Sequence, residues 1–318
     1  MRTKRTTKAL VGFIFLFFLS GLVSFSKTRF LSILADAQEL QEVSPRMILP
    51  KQSWDERLLV KAQTQFGFKL FSTLATTSDQ PQNIFISPTG ITFTLSMLYN
   101  GATEKTQQEI ATLLGIRGVN INALNRANRA LKTDLNNHSP QVSLTMVDSL
   151  WARQGFSFRY KFLKKNQHYY NSQITNLNFS SDEASRIING WAKENTQGKI
   201  HEIINQVRDE DVLLLTNASY FQGNWQTGFD ENLTEDKPFY RPGKKAKNSP
   251  FMSRQGTYHY LETPQLQSVK LPYGEGRFSF YVVLPKQDQS LSEILHNLTV
   301  SKWKNFLSKF REQKGLVQ

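Results

Sequence analysis

Five histidines, His138, His168, His201, His259 and His296, are the most versatile acid–base and metal-ligating groups in the chain. No two of them have metal-ligand spacing, and no H-E-x-x-H string is present. A G-x-S-x-G nucleophile elbow is also missing. Gly274-Glu275-Gly276 opens like a dinucleotide loop but lacks the third glycine and the following helix. Thr196-Gln197-Gly198-Lys199 lacks the rest of a phosphate-binding loop. With no cysteine at all, disulfides, thiolate metal sites and thiol catalysis are excluded. No metal, cofactor or catalytic residue is therefore expected. A hydrolytic triad assembled from distant segments would leave no local motif, and Ser87 is the residue whose replacement would test for one.

One residue does raise a chemical question. The run LLLTNASYFQGNW, Leu213 to Trp225, is apolar almost throughout and reads as a strand covered on both faces. Asn217 sits inside it. A buried carboxamide without partners costs about 1–3 kcal/mol, so this one must be bonded. The plain expectation is that it satisfies a nearby backbone group.

The elements that would position Asn217 can be read from periodicity. Leu59, Ala62, Phe66, Leu70 and Leu74 recur at helical spacing. Ile84–Ile86 read as a short apolar strand. Ser87 then suits a helix N-cap, Pro88 its first turn and Gly101 its exit. Thr103 caps another helix, closed by Gly115, and a further helix runs over residues 121–135. Val142, Leu144 and Met146 alternate as in a strand. Residues 182–195 are helical, with Ile187, Ile188 and Trp191 on one face. Phe278–Leu284 reads as a second buried strand. A last helix presents Trp303, Phe306, Leu307 and Phe310. Helices dominate the first half and strands the second, which favours an α+β fold over regular βαβ winding.

The 318 residues carry a net charge of +13, partly in the N-terminus. Arg2, Lys4, Arg5 and Lys8 precede the uncharged run Ala9–Phe25 (ALVGFIFLFFLSGLVSF), the pattern of a secretory signal. Ser24-Phe25-Ser26 and Ala35-Asp36-Ala37 are both candidate cleavage sites. An uncleaved anchor is the alternative, since the run is near the lower limit for spanning a bilayer. Residues 1–37 are thus read as signal or anchor, 38–53 as a polar linker and 54–318 as the folded domain. The expected location is extracellular, or membrane-anchored and extracytoplasmic. The domain's remaining surplus of cations, +8, points to no nucleic acid, because no recognition motif accompanies it. On the 121–135 helix, Arg126, Arg129 and Lys132 recur every three residues, either as a basic stripe for a polyanion or as a solvated face.

Four strings together resemble the serpin family. NIFISPTGITFTLSMLYNGATEKTQQEIATLLG, Asn83 to Gly115, is similar to the pattern N-x-x-x-SP, a helix, then GA-x-x-x-T. LLLTNASYFQGNWQTGFDENLTEDKPF is similar to NA-x-YF-x-G-x-W followed by F, T and F. Ile188-Asn189-Gly190-Trp191 with Thr196-x-Gly198-Lys199-Ile200 resembles the helix that crosses the main sheet. LPYGEGRFSFYVVLP, Leu271 to Pro285, resembles the family's strand pair. The fold positions carrying these matches are Asn83, Pro88, Gly101, Trp191, Gly223 and Thr234. The resemblance covers about residue 54 to the end.

It implies an α+β domain with three sheets, and suicide inhibition of serine or cysteine proteases by insertion of a cleaved loop into the central sheet. It further implies that Ser87 and Asn217 belong to the "shutter", where sheet strands part, and Trp225 to the "breach", where insertion begins. Trp225 is equally readable as a large core aromatic. Gly90 stands where many serpins have another shutter serine, so the polar cluster is expected to be thin. Family hinges read E-G-T-x-A-x-A, and no such string occurs in these residues. The resemblance places the hinge, the reactive loop and the usual histidine partner of Asn217 beyond Gln318. The expectation is an incomplete serpin, inactive alone, with a polyanion-binding scaffold (glycosaminoglycan through Arg126, Arg129 and Lys132) as the alternative. Asn178-Phe-Ser, Asn232-Leu-Thr and Asn297-Leu-Thr are glycosylation sequons, whereas Asn217-Ala-Ser is expected to be too buried for modification.

Overall fold

The computed structural model describes residues 56–77, 83–136, 139–241, 244–286, 289, 294 and 298–318, and the backbone of 18–24. The linker and the leader's charged start lie outside these residues. The described residues divide into two compact units, one drawn from residues 18–138 and 143–221, the other from 139–142 and 222–318.

The first unit is helix-rich. Helices α1 (Glu56–Thr77), α2 (Pro88–Tyr99), α3 (Glu104–Leu113), α4 (Ile121–Leu135), α5 (Tyr160–Tyr170) and α6 (Glu183–Asn195) accompany a sheet ordered β1 (Phe18–Ser24), β4 (Leu213–Gly223), β2 (Val142–Arg153), β3 (Gln173–Leu177). Strands β2 and β3 run parallel, Ser149 opposite Gln173. The backbone of Phe18–Ser24 pairs antiparallel with β4, Gly21 opposite Asn217. An unpaired edge presents a row of backbone donors and acceptors, which an uncharged segment can satisfy.

Helix α2 starts where the sequence says it should. Pro88 occupies its first turn, and the Ser87 hydroxyl accepts from the Gly90 N–H at 3.4 Å. The helix is buried along most of its length, so its threonines bond inward: Thr92 Oγ1 donates to the Pro88 carbonyl at 2.9 Å and Thr94 Oγ1 to that of Gly90 at 3.1 Å. Phe93 and Met97 join Leu150, Tyr170 and Leu215 in the core. Residues 83–87 lead into this helix without forming the expected strand. Their aliphatic side chains are half-buried, and apolar content alone does not supply a ladder partner.

Helix α6 buries Ile188 and Trp191 in a second core with Trp151, Phe179 and Leu214. Trp191 meets Trp151 edge-on at 5.9 Å. Ile187 was expected on the same face but is 39% exposed, because one residue's step turns it about 100° away. Asn189 clasps the following loop: its Oδ1 accepts from the Ile203 and Ile204 N–H groups, and its Nδ2 donates to the Ile204 carbonyl at 2.8 Å.

In the second unit, β7 (Arg254–Glu262), β8 (Leu266–Tyr273), β9 (Phe278–Pro285) and β10 (Arg311–Val317) form an antiparallel sheet ordered β10-β7-β8-β9. Strands β5 (Glu235–Arg241) and β6 (Lys244–Phe251) make a separate antiparallel pair. Strand β9 is half-buried, with Phe280 and Pro285 fully covered, rather than buried throughout. Helix α7 (Val300–Ser308) stacks Trp303 on Phe306 at 5.3 Å, and both Trp303 and Phe310 pack edge-on against Tyr281.

Candidate functional site

Strand β4 is buried from Leu213 to Tyr220, and Asn217 is only 2% exposed. Its Nδ2 donates to Asp148 Oδ1 on β2 at 2.8 Å, and its Oδ1 accepts from the Ser219 hydroxyl at 2.9 Å. The carboxamide is thus satisfied by side chains of the sheet itself. The expected partner was a backbone group, whereas both bonds shown go to side chains. The signal that could have found it is Asp148, an acid inside the apolar strand MVDSLWA, which itself demands a partner.

That partner is Lys132. Its Nζ lies 2.6 Å from Asp148 Oδ2 and also donates to the Tyr170 carbonyl. The expected basic stripe on α4 therefore fails at its third member. Arg126 and Arg129 are exposed, but Lys132 is buried, 6% exposed, and already neutralised. Steps of three residues fall about 60° short of a turn, so such a row rotates around the helix and enters the core. Arg129 reaches His168, its Nη1 3.2 Å from Nε2.

The network continues through Tyr170, whose hydroxyl donates to Asn125 Oδ1 at 2.8 Å and accepts from Asn128 Nδ2 at 3.0 Å. Gln63 of α1 donates to Asn128, and Asn100 bridges Asn125 and Asn166. Burial pushes the Tyr170 phenol well above its ordinary range, and the Asp148 charge adds in the same direction. On β4 and β2 a second short chain runs from Trp151 Nε1 to Thr216 Oγ1 at 3.0 Å and on to Ser149 Oγ at 3.3 Å.

Ser87 and Asn217 are brought to the two sides of Gly90. A Cβ on Gly90 would stand 2.2 Å from Asn217 Oδ1 and 3.2 Å from Ser87 Oγ. The glycine is therefore a requirement of close packing, and no side chain fits in the space a serine would need. Gly101 is similar, since its Cβ would lie 2.8 Å from the Phe162 ring. Among the other matched positions, Asn83 is exposed ahead of α2, Gly223 ends β4, and the Thr234 N–H bonds the Glu231 carbonyl at 3.1 Å.

Trp225 belongs to the second unit. Its ring stacks on Tyr273 at 4.3 Å, with Phe229 and Phe280 each at 6.1 Å. The adjacent Gln226 N–H bonds the Pro272 carbonyl at 2.9 Å. A cavity of about 350 Å³ opens beside it, walled by Trp225, Phe229, Arg254, Tyr258 and Glu312. The Arg254 guanidinium is fixed there by the Phe229 and Tyr258 rings, the Tyr258 hydroxyl and the Thr227 carbonyl.

Comparison with known proteins agrees with this architecture. The family description serpin (serine protease inhibitor) matches residues 61–318. An uncharacterized serpin-like protein of Thermococcus kodakarensis is 32% identical over 267 residues, covering 82% of this chain and 61% of that one. The leukocyte elastase inhibitor of Bos taurus is 31% identical over 254 residues, 77% of this chain and 66% of its own. The solved structure of reactive-loop-cleaved human thyroxine binding globulin superposes with a TM-score of 0.76 at 23% identity, over 83% of this chain and 78% of that one. The chain belongs to the serpin family, and its fold is the serpin α+β fold. The matched region spans somewhat less than two thirds of the length of these two curated relatives.

Proposed function

We propose that residues 54–318 are the body of a protease trap of the serpin type, the part that receives an inserted strand and carries no catalyst of its own. The observation supporting this is the way Asn217 is bonded. Its partners, Asp148 and Ser219, lie on β2 and β4, so neither of its bonds depends on the outer edge of β4. A strand can be gained or lost at that edge without unpairing a buried side chain. A shutter needs this property, and Ser87, Gly90 and Asn217 are its residues under this reading. Trp225, stacked at the end of β8, takes the breach role.

Under the same reading the partner is a serine or cysteine protease, and the leader directs export. The hinge string is not found among residues 1–318, so a covalent trap requires a chain that carries one. The test is incubation with a panel of serine proteases, followed by denaturing electrophoresis. The 318-residue chain should give no adduct, and a version extended with a serpin hinge, reactive loop and closing strands should give one. An adduct with the 318-residue chain, or multiple turnover of substrate, would overturn the proposal.

A further inference from the structure

In the second unit, β7 and β8 share a ladder only where His259–Glu262 face Lys270–Gln267. Toward Arg254 the two strands part. There β7 continues on β10, Arg254 opposite Val317, while the end of β8 takes a different neighbour. Trp225 bridges Tyr273, and the Gln226 N–H bonds the Pro272 carbonyl at 2.9 Å. The cavity of about 350 Å³ beside Trp225 is the opening of this fork, and its volume lies in the range of small-molecule sites.

Arg254 stands in the fork half-buried and held in place. The Phe229 and Tyr258 rings lie 5.2 and 4.8 Å from its central carbon. Its Nε donates to the Tyr258 hydroxyl at 2.9 Å and its Nη1 to the Thr227 carbonyl. A guanidinium has five N–H donors, so these two bonds leave the Nη2 pair over. Among the described residues no carboxylate pairs with it. Lys270 also lines the cavity, half-buried, and makes no hydrogen bond or ion pair among the described residues. Glu312, on the same wall, is exposed opposite His259 and pairs with neither cation.

Two cations without a counter-ion, enclosed by Trp225, Phe229 and Tyr258, are the complement of a small molecule with an anionic head and a flat apolar body. The fork of a guanidinium matches the two oxygens of a carboxylate, and aromatic walls take a ring. A bare inorganic anion would leave the rings unused, and a neutral aromatic would leave the cations unpaired. We propose that this cavity binds a small aromatic carboxylate, with Arg254 holding the carboxylate, Lys270 adding charge and the three rings enclosing the body. Such a site needs no inserted strand, so it stands or falls apart from the protease trap.

Binding to the 318-residue chain is measured by ligand-detected NMR titration with phenylacetate, phenylacetamide and acetate. Phenylacetate should bind at a single saturable site. The amide lacks the charge and acetate lacks the ring, so each should bind about tenfold or more weakly. Arg254→Gln should weaken phenylacetate about ten- to a hundred-fold, the worth of hydrogen bonds to a charged group. That variant also loses the bonds to Tyr258 and Thr227, so Lys270→Gln, which has none to lose, serves as the second. It should unfold thermally with the parent chain and weaken phenylacetate about two- to five-fold, leaving phenylacetamide unchanged. Binding at the basic, apolar N-terminus would survive both variants. Phenylacetate binding that survives both, that the amide or acetate equals, or that never saturates would each overturn the assignment.

Discussion

Asn217 donates to one oxygen of the Asp148 carboxylate while Lys132 holds the other, so a strand carboxamide and a helix ammonium share one buried acid. The carboxylate is 0% exposed and the lysine side chain 8%. Through it, the position of β4 relative to β2 is tied to α4, and through Lys132 to the Tyr170 carbonyl at the end of α5. A purely apolar contact would tolerate sliding, whereas paired charges fix a register.

Breaking this pair from one side should be severe. Asp148→Ala leaves Lys132 buried without its counterion, and a loss of about 3–5 kcal/mol is expected in urea unfolding. The double variant Asp148→Leu with Lys132→Met should recover much of it, since apolar replacement of a whole buried pair is often neutral. If the single variant costs no more than a surface change, the ion pair does not carry the structural role assigned to it.

Much of the frame that holds this site is legible in the sequence, and the omissions have physical reasons. The cap at Ser87, the Pro88 start and the bounds of α4 follow from local chemistry, which acts within one turn. The apolar run of β4 announces its own burial. The Lys132–Asp148 pair joins residues sixteen apart on a helix and a strand, and neither periodicity nor a motif encodes that meeting. What a glycine makes room for is equally invisible to pattern: the space beside Gly90 is occupied by the Asn217 carboxamide.

Restoring a side chain at position 90 should therefore harm the fold. Gly90→Ser would drive its Cβ into Asn217 Oδ1, and overpacking of this kind costs about 1–3 kcal/mol. Combining it with Asn217→Ala should be less damaging than the sum of the two changes, because the clash is removed along with the carboxamide. Additive losses in a thermal unfolding cycle would show that the two positions do not contend for the same space.

Ser87 separates a structural from a hydrolytic reading. Its hydroxyl accepts from the Gly90 N–H as the cap of α2. Ser87→Ala should cost about 0.5–2 kcal/mol of stability, the usual range for a lost cap. Ser87→Asp should retain most of the stability, since Asp caps as well as Ser. Ester or peptide hydrolysis by the parent chain that disappears in both variants would reveal a nucleophile instead.

The Tyr170 phenol gives the fold a dependence on alkaline pH. Its hydroxyl is buried and bonded to Asn125 and Asn128, and burial holds its pKa far above the unfolded value of about 10. A raised folded-state pKa means that the native chain keeps a proton the unfolded chain gives up. This contribution is complete below pH of about 10 and declines as pH rises toward the folded value, by about 1.4 kcal/mol per unit. Tyr260 in the second unit, raised to about 12 by burial and then by its bond to Glu262, acts in the same direction but is better solvated. Urea unfolding above pH 10 should therefore show a falling midpoint, with Tyr170 ionising only as the chain unfolds when followed by phenolate absorbance. Tyr170→Phe should be less stable near neutrality, because Asn125 and Asn128 lose their phenol partner, and should lose less stability as the solution is made alkaline. Phenolate absorbance that rises fully before any loss of tertiary structure would place Tyr170 in contact with solvent and dissolve the link between the helices and the sheet.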